Sequence, residues 1–181
     1  MEESWYRKLF SRPQTPAREV ASPTTDYGDA EVQFSMGLKF ANGEGAAQDF
    51  AQAAEWYRKA ADQNHSLAQF NLGMMCSQGQ GMGRDDAQSV IWFGKAARLG
   101  DAGAQFHLGR SCHRASFGGG LDAAPESRIE AYKWYRLAAA QGYQGSEAAG
   151  TTLVLSMTRE DVADANRRIA EFAVARNQAQ D

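Results

Sequence analysis

Cysteine is scarce, with two in 181 residues, which excludes a domain stapled by a disulfide framework. Proline is scarce as well. Of the four present, Pro13, Pro16 and Pro23 lie in the first 23 residues, so little beyond them interrupts helices. Only three histidines occur, and none sits at the H-x-x-x-H or H-E-x-x-H spacing of a helical metal site. No apolar run approaches the ~20 residues that a membrane helix needs. Basic residues (19) do not exceed acidic ones (22), and the net charge is −3. That balance argues against a general nucleic-acid binder, which carries a basic excess or stripe. The opening M-E-E-S-W-Y-R-K-L-F holds two acids and no long apolar core, unlike a secretory signal. Hydrophobic residues make up 43% and charged residues 23%, which excludes wholesale disorder. The expectation is a cytoplasmic protein with no membrane and no nucleic-acid partner.

Residues 1–28 read as a separate segment. S-R-P-Q-T-P-A-R-E-V-A-S-P-T-T-D predicts an extended linker, because proline lacks an N–H and disfavours helix before it. Ahead of it, Trp5-Tyr6-Arg7-Lys8-Leu9-Phe10 is a short amphipathic patch. It reads either as a loose terminus or as a docking peptide capable of self-association. A linker of about 18 residues spans roughly 20–25 Å as a random coil.

Beyond residue 28 the chain repeats. V-Q-F-S-M-G (Val32–Gly37), A-Q-F-N-L-G (Ala68–Gly73) and A-Q-F-H-L-G (Ala104–Gly109) recur every 36 residues. Gln33, Gln69 and Gln105 align, as do Gly37, Gly73 and Gly109. A second block follows each first: A-E-W-Y-R-K-A-A, V-I-W-F-G-K-A-A and Y-K-W-Y-R-L-A-A. Trp56, Trp92 and Trp134 are 36 and then 42 residues apart, so the third unit is longer, around Ser116–Ala124. Both blocks have helical period: Phe50, Ala53, Tyr57, Ala60 and Ala61 share one face, and Val32, Met36, Gly37 and Phe40 another. G-E-G and G-Q-G-M-G separate the blocks as turns. Asn64, Gly100 and Gly142 follow the second blocks, and these residue types accept the left-handed conformation that ends a helix. Each unit is predicted to be helix–turn–helix.

A-Q-F-x-L-G, a Gly-x-Gly turn and A-x-x-W-Y-x-x-A-A-x-x-G together resemble the Sel1-like repeat, a relative of the tetratricopeptide repeat. The resemblance covers about residues 29–172. It implies an all-α, right-handed α-solenoid with units at about 29–64, 65–100 and 101–142. A degenerate fourth unit at 143–176 and a tail at 177–181 would follow. In the fourth unit, Thr151 is expected to replace the small glycine. Thr158 is expected to cap a last helix with Val162, Ala165, Ile169 and Phe172 on its inner face and Arg167 and Arg168 opposite. Terminal repeats are atypical because one side faces water.

Chemistry-bearing residues are few. G-Q-G-M-G follows a helix and lacks the strand–loop–helix context of a phosphate loop. Cys76 and Cys112 occupy equivalent positions in successive units. Equivalent helices pack roughly 8–10 Å apart, beyond the reach of a disulfide, so both are expected reduced. His107 and His113, six apart, are expected to point away from each other. Asp49 and Asp85 read as helix caps. No catalytic constellation, metal site or cofactor motif emerges.

The resemblance implies a concave groove lined by the first helix of each unit, and a role as a non-enzymatic adaptor for a peptide or protein partner. The groove residues would be Phe34, Ser35 and Leu38 in unit one, and Phe70, Asn71, Met74 and Gln78 in unit two. Unit three would supply Phe106, His107, Arg110, His113 and Arg114. Phe34, Phe70 and Phe106 fit equally an aromatic spine packed between repeats. Arg110 and Arg114 suit a carboxylate or an internal partner such as Asp101. The stretch 113–124 reads as a loop able to fold over the groove. A hydrolase acting on a peptide or wall-like substrate, or an inhibitor of the immunity type, stands as the alternative function.

Overall fold

A computed structural model of the chain describes residues 28–45, 47–118 and 123–178. The linker and the Trp5–Phe10 patch lie outside the described residues. The described residues form eight helices and no strand: α1 (Ala30–Asn42), α2 (Phe50–Asp62), α3 (Ser66–Gln78), α4 (Asp86–Arg98), α5 (Ala102–Gly118), α6 (Ala123–Ala140), α7 (Ser146–Val154) and α8 (Arg159–Gln178). Successive pairs α1/α2, α3/α4 and α5/α6 are hairpins. Each second helix also packs on the first helix of the next pair. The molecule is therefore a helical solenoid whose core is three apolar clusters in a row.

The repeated residues explain this stacking. Tyr57, Phe93 and Tyr135 are each 2–3% exposed and lie flat on the glycine of their partner helix. A Cβ at Gly37 or Gly73 would fall 2.5 or 2.6 Å from the ring, and one at Gly109 would fall 2.9 Å away. The repeated glutamine carries the link between units. Gln69 Nε2 donates to the Ala61 carbonyl at 3.0 Å, and Gln105 Nε2 to the Ala97 carbonyl at 3.2 Å. Each thereby adds a second donor to a carbonyl in the last turn of the preceding helix, which also accepts from the turn N–H of Asn64 or Gly100. In units one and three the glutamine oxygen is satisfied in turn: Gln63 donates to Gln33 and Gln141 to Gln105, both at 2.9 Å. Asn64, Gly100 and Gly142 all adopt positive φ at the end of the second helices, as their residue types predict. Gly81 is tied down differently: its φ is +68°, and a Cβ there would meet the Phe50 carbonyl at 2.4 Å. The turn between α3 and α4 thus presses onto the start of α2.

Caps follow the sequence closely. Asp49 accepts from the Gln52 N–H and Asp85 from the Gln88 N–H. His65 takes the cap position that Asp29 and Asp101 fill in their units. Its Nδ1 accepts from the Ala68 N–H, and its Nε2 lies 3.0 Å from Glu31. Thr158 and Asp161 exchange side-chain-to-backbone hydrogen bonds and start α8.

Four expectations change. The buried stripe of α1 is Gln33, Phe34 and Gly37; Val32 and Met36 are only half-buried. The long third unit extends its helices rather than opening at residue 113. α5 runs to Gly118 with 17 residues, and α6 has 18, against 13 in each of α1 to α4. Residues 113–118 are therefore helix, and residues 119–122 lie outside the described residues. In α7 the small residue is Gly150, buried 3.7 Å from Tyr135 Cβ by its ideal Cβ position, while Thr151 is exposed. α7 has one residue less of offset than the longer unit suggested, and its buried polar residue is Ser146. Finally, α8 packs on α6, and Arg168 faces inward. It donates to Glu126 and Glu130 of α6 and pairs with Asp164 of its own helix. Phe172 meets Trp134 edge-on at 5.5 Å.

Candidate functional site

The first helices of units two and three, α3 and α5, face each other across a cleft of about 610 Å³. Met74, Ser77 and Gln78 of α3 form one wall. His107, Arg110, Ser111, His113, Arg114 and Phe117 of α5 form the other. Ser89 and Phe93 of α4, with Tyr135 of α6, line the floor, and Arg84 and Asp86 close one end. The two walls use equivalent positions one repeat apart, since 74, 77 and 78 become 110, 113 and 114 after 36 residues.

The structure brings six of the expected groove residues together here: Met74, Gln78, His107, Arg110, His113 and Arg114. It places the others elsewhere. Phe34 is 8% exposed and stacks on His65 with ring centroids 4.5 Å apart. Phe70 packs on Phe93 at 5.9 Å and on His107 at 5.8 Å. Phe106 packs on Tyr135 at 5.7 Å and on Tyr143 at 5.3 Å. These phenylalanines form the spine between repeats. Ser35 is exposed on α1, and Asn71 is half-buried. Sequence reasoning missed Arg84 and Asp86, which come from a turn and a helix start, and the floor residues Phe93 and Tyr135, which come from the second helices. Ser77 was within reach of the 36-residue register, because His113 occupies its equivalent position.

His107 and His113 both line the cleft, so the six-residue spacing does not separate them. His107 stacks on Phe93 at 4.9 Å. Burial, followed by the nearby Arg110 guanidinium, lowers its pKa from the ordinary value, and it is neutral near pH 7. His113 is half-buried, 5.3 Å from the Phe117 ring. Among the described residues, no hydrogen bond joins either ring to a hydroxyl, thiol or carboxylate. Burial raises the Cys76 thiol pKa and pushes that of Cys112 up to about 11. Both thiols are free and poorly nucleophilic at neutral pH.

The cleft's charge comes from its arginines. Arg84 holds Asp86 through two hydrogen bonds, Nε to Oδ1 and Nη2 to Oδ2, both 3.1 Å. That grip lowers the Asp86 pKa. Arg114 approaches the same carboxylate at 3.8 Å. Asp101, an imagined partner for these arginines, instead caps α5 by accepting from the Ala104 N–H. Arg110 is exposed and has no ion-pair partner among the described residues. Counting arginines and carboxylates alone, three arginines and one aspartate give the cleft +2 in a chain whose net charge is −3. Such a site attracts and orients anions. Among the described residues, no group of three or more His, Cys, Asp or Glu could hold a metal ion, and no helix is long and apolar enough to cross a membrane.

Comparison with known proteins agrees with this architecture. The Sel1 repeat family model matches residues 30–65, 66–101 and 102–143. The crystal structure of a Sel1 repeat protein from Oxalobacter formigenes is 30% identical, with a TM-score of 0.62 over 72% of this chain and 51% of that one. A protective antigen present in uropathogenic Escherichia coli strains, displaying an SLR fold, is 32% identical, with a TM-score of 0.63 over 78% of this chain and 31% of that one. The chain thus spans about half the length of the first and about a third of the second. No curated protein matches it. Three repeats in register, found both by the family model and in the helices, show that the chain belongs to the Sel1 repeat family.

Proposed function

We propose that this protein is a non-enzymatic interaction module that binds an acidic peptide segment of a partner in the cleft between α3 and α5. Sel1 repeats commonly form protein-interaction scaffolds. The observation that carries the reading here is a cleft whose arginines outnumber its carboxylates by two, in a chain of net negative charge. Guanidinium groups grip carboxylates through paired N–H donors, and the half-buried Met74 and the exposed Phe117 offer apolar contact. Cleft chemistry favours binding over catalysis, since its imidazoles pack on aromatic rings rather than on a nucleophile or an orienting carboxylate.

An array of decapeptides, matched in apolar content and graded in acidic content, tests this by fluorescence anisotropy. Affinity is expected to rise with acidic content and to fall with added salt. An Arg110→Ala/Arg114→Ala variant is expected to lose at least about tenfold in affinity while melting at the wild-type temperature. Equal binding of acidic and neutral peptides, or an unaffected double variant, sinks the proposal.

A further inference from the structure

The first helix of unit one is less covered than its counterparts. Val32 and Met36 are half-buried and Lys39 is exposed. One repeat on, the same positions hold Ala68, Leu72 and Met75, all buried, and two repeats on, Ala104 and Leu108 are buried as well. The cover comes from the preceding unit: α3 packs on α2 and α5 on α4, each across a shared apolar cluster. Among the described residues no second helix precedes α1. The end of a stacked array needs a cap, and α8, packed on α6, supplies one at the far end.

The sequence holds a second copy of the segment that does the covering. Trp5-Tyr6-Arg7-Lys8 repeats Trp56-Tyr57-Arg58-Lys59 of α2, four residues in succession. This alignment sets Glu2 and Glu3 on Ala53 and Ala54, and Leu9 and Phe10 on Ala60 and Ala61. α2 and α3 are antiparallel: a three-residue turn joins them, and Gln69, early in α3, bonds the Ala61 carbonyl, late in α2. The start of α2 therefore lies level with the end of α3, where Met75 sits. On α1 that position is Lys39, and the aligned segment brings Glu2 and Glu3 to it. An apolar pairing in one interface becomes an opposite-charge pairing in the other.

At the opposite end, Leu9 and Phe10 fall level with Val32, replacing a contact among alanines with one among larger apolar side chains. These need a wider helix spacing, and the connection permits it. From Phe10 to the cap Asp29 is 19 residues, whereas from Ala61 to the cap His65 is four. Glu2 and Glu3 favour a helix start, and Pro13 disfavours helix just before it. A helix this short is marginal alone in water, but tethering gives it an effective concentration of about a millimolar at α1.

We propose that residues 2–10 dock on the chain's own α1 as a surrogate second helix, with Leu9 and Phe10 over Val32 and Met36 and the two glutamates at Lys39. This surface is separate from the cleft, and the proposal stands or falls without it.

Amide hydrogen exchange of the isotope-labelled full chain, read residue by residue by NMR, tests it. Residues 5–10 are expected to exchange at least about tenfold more slowly than in a synthetic peptide of residues 1–28, equally across a dilution series. Trp5→Ala/Tyr6→Ala is expected to abolish that protection and to speed exchange in α1, leaving α4 to α6 unchanged. Lys39→Glu is expected to reduce the protection by about threefold, and Glu2→Lys/Glu3→Lys in the same chain to restore it. Exchange as fast as in the peptide, or protection indifferent to both charge reversals, overturns the proposal. Protection that falls on dilution places the segment on a second copy, and protection lost in Arg110→Ala/Arg114→Ala places it in the cleft; either result overturns docking on its own α1.

Discussion

Gln69 shows how one side chain links sequence to stability. Its Nε2 closes the end of α2, but its buried Oε1 finds no donor. In units one and three that oxygen is met by Gln63 and Gln141; the equivalent position in unit two is Leu99, which is 45% exposed and whose side chain has no donor. A buried acceptor left without a partner costs free energy. Leu99→Gln is therefore expected to stabilise the protein by about 1 kcal/mol, visible as a higher urea midpoint at unchanged slope. A lower midpoint would mean that the Leu99 side chain packs more than its exposure suggests. Gly73 sets the opposite case. Gly73→Ala places a methyl 2.6 Å from the Phe93 ring, and that ring is locked between Phe70 and His107. Overpacking of this kind costs about 2 kcal/mol, to be read from the same unfolding curve.

At the scale of elements, α8 is the helix whose docking depends most on charge. Arg168 is 25% exposed and reaches Glu126, Glu130 and Asp164. Hydrogen bonding to Arg168 holds the Glu126 carboxyl below its ordinary 4.5, and Arg167 and then Arg168 hold Asp164 below 3.8. Both folded pKa values are depressed, so the stabilisation is fully present above the unfolded values. It is lost as pH falls through 4.5 and 3.8 toward the lower folded values. Arg168→Ala is expected to cost about 1–2 kcal/mol near pH 7. The difference between variant and wild type is expected to shrink as pH falls from 5 to 3, followed by Trp134 fluorescence, since Phe172 of α8 lies against that ring. A pH-independent difference would assign the loss to packing of the arginine stem alone.

The whole molecule is a line of neighbours rather than a sphere. Each unit touches mainly the next, so stability is a sum of local terms and damage stays local. Removing residues 159–181 strips Trp134 of Phe172 and leaves Glu126 and Glu130 without Arg168. Hydrogen exchange is expected to speed by about tenfold or more in α5 and α6 while α1 and α2 change little. Uniform acceleration along the chain would show a more cooperative molecule than this contact pattern implies.

The 36-residue register alone revealed the helix pairs, the Asp49 and Asp85 caps and the left-handed ends, because each is a short-range rule; that the repeated glycines receive the rings of Tyr57, Phe93 and Tyr135 came only from the structure. The register did not reveal where the fourth unit's glycine falls, since a one-residue change of offset leaves no trace where the motif is worn. It misjudged Arg168, because a helix face that looks polar in isolation becomes an inner face when acids on another helix meet it. The groove was half legible. Positions 74, 110, 113 and 114 follow from the register, whereas Arg84, Asp86, Phe93 and Tyr135 enter from other elements. The sequence by itself determined the repeat, because local periodicity and side-chain size dictate which helices pair. The tertiary structure alone decided which arginine of the cleft stays free, because that depends on a carboxylate brought across from the start of a different helix.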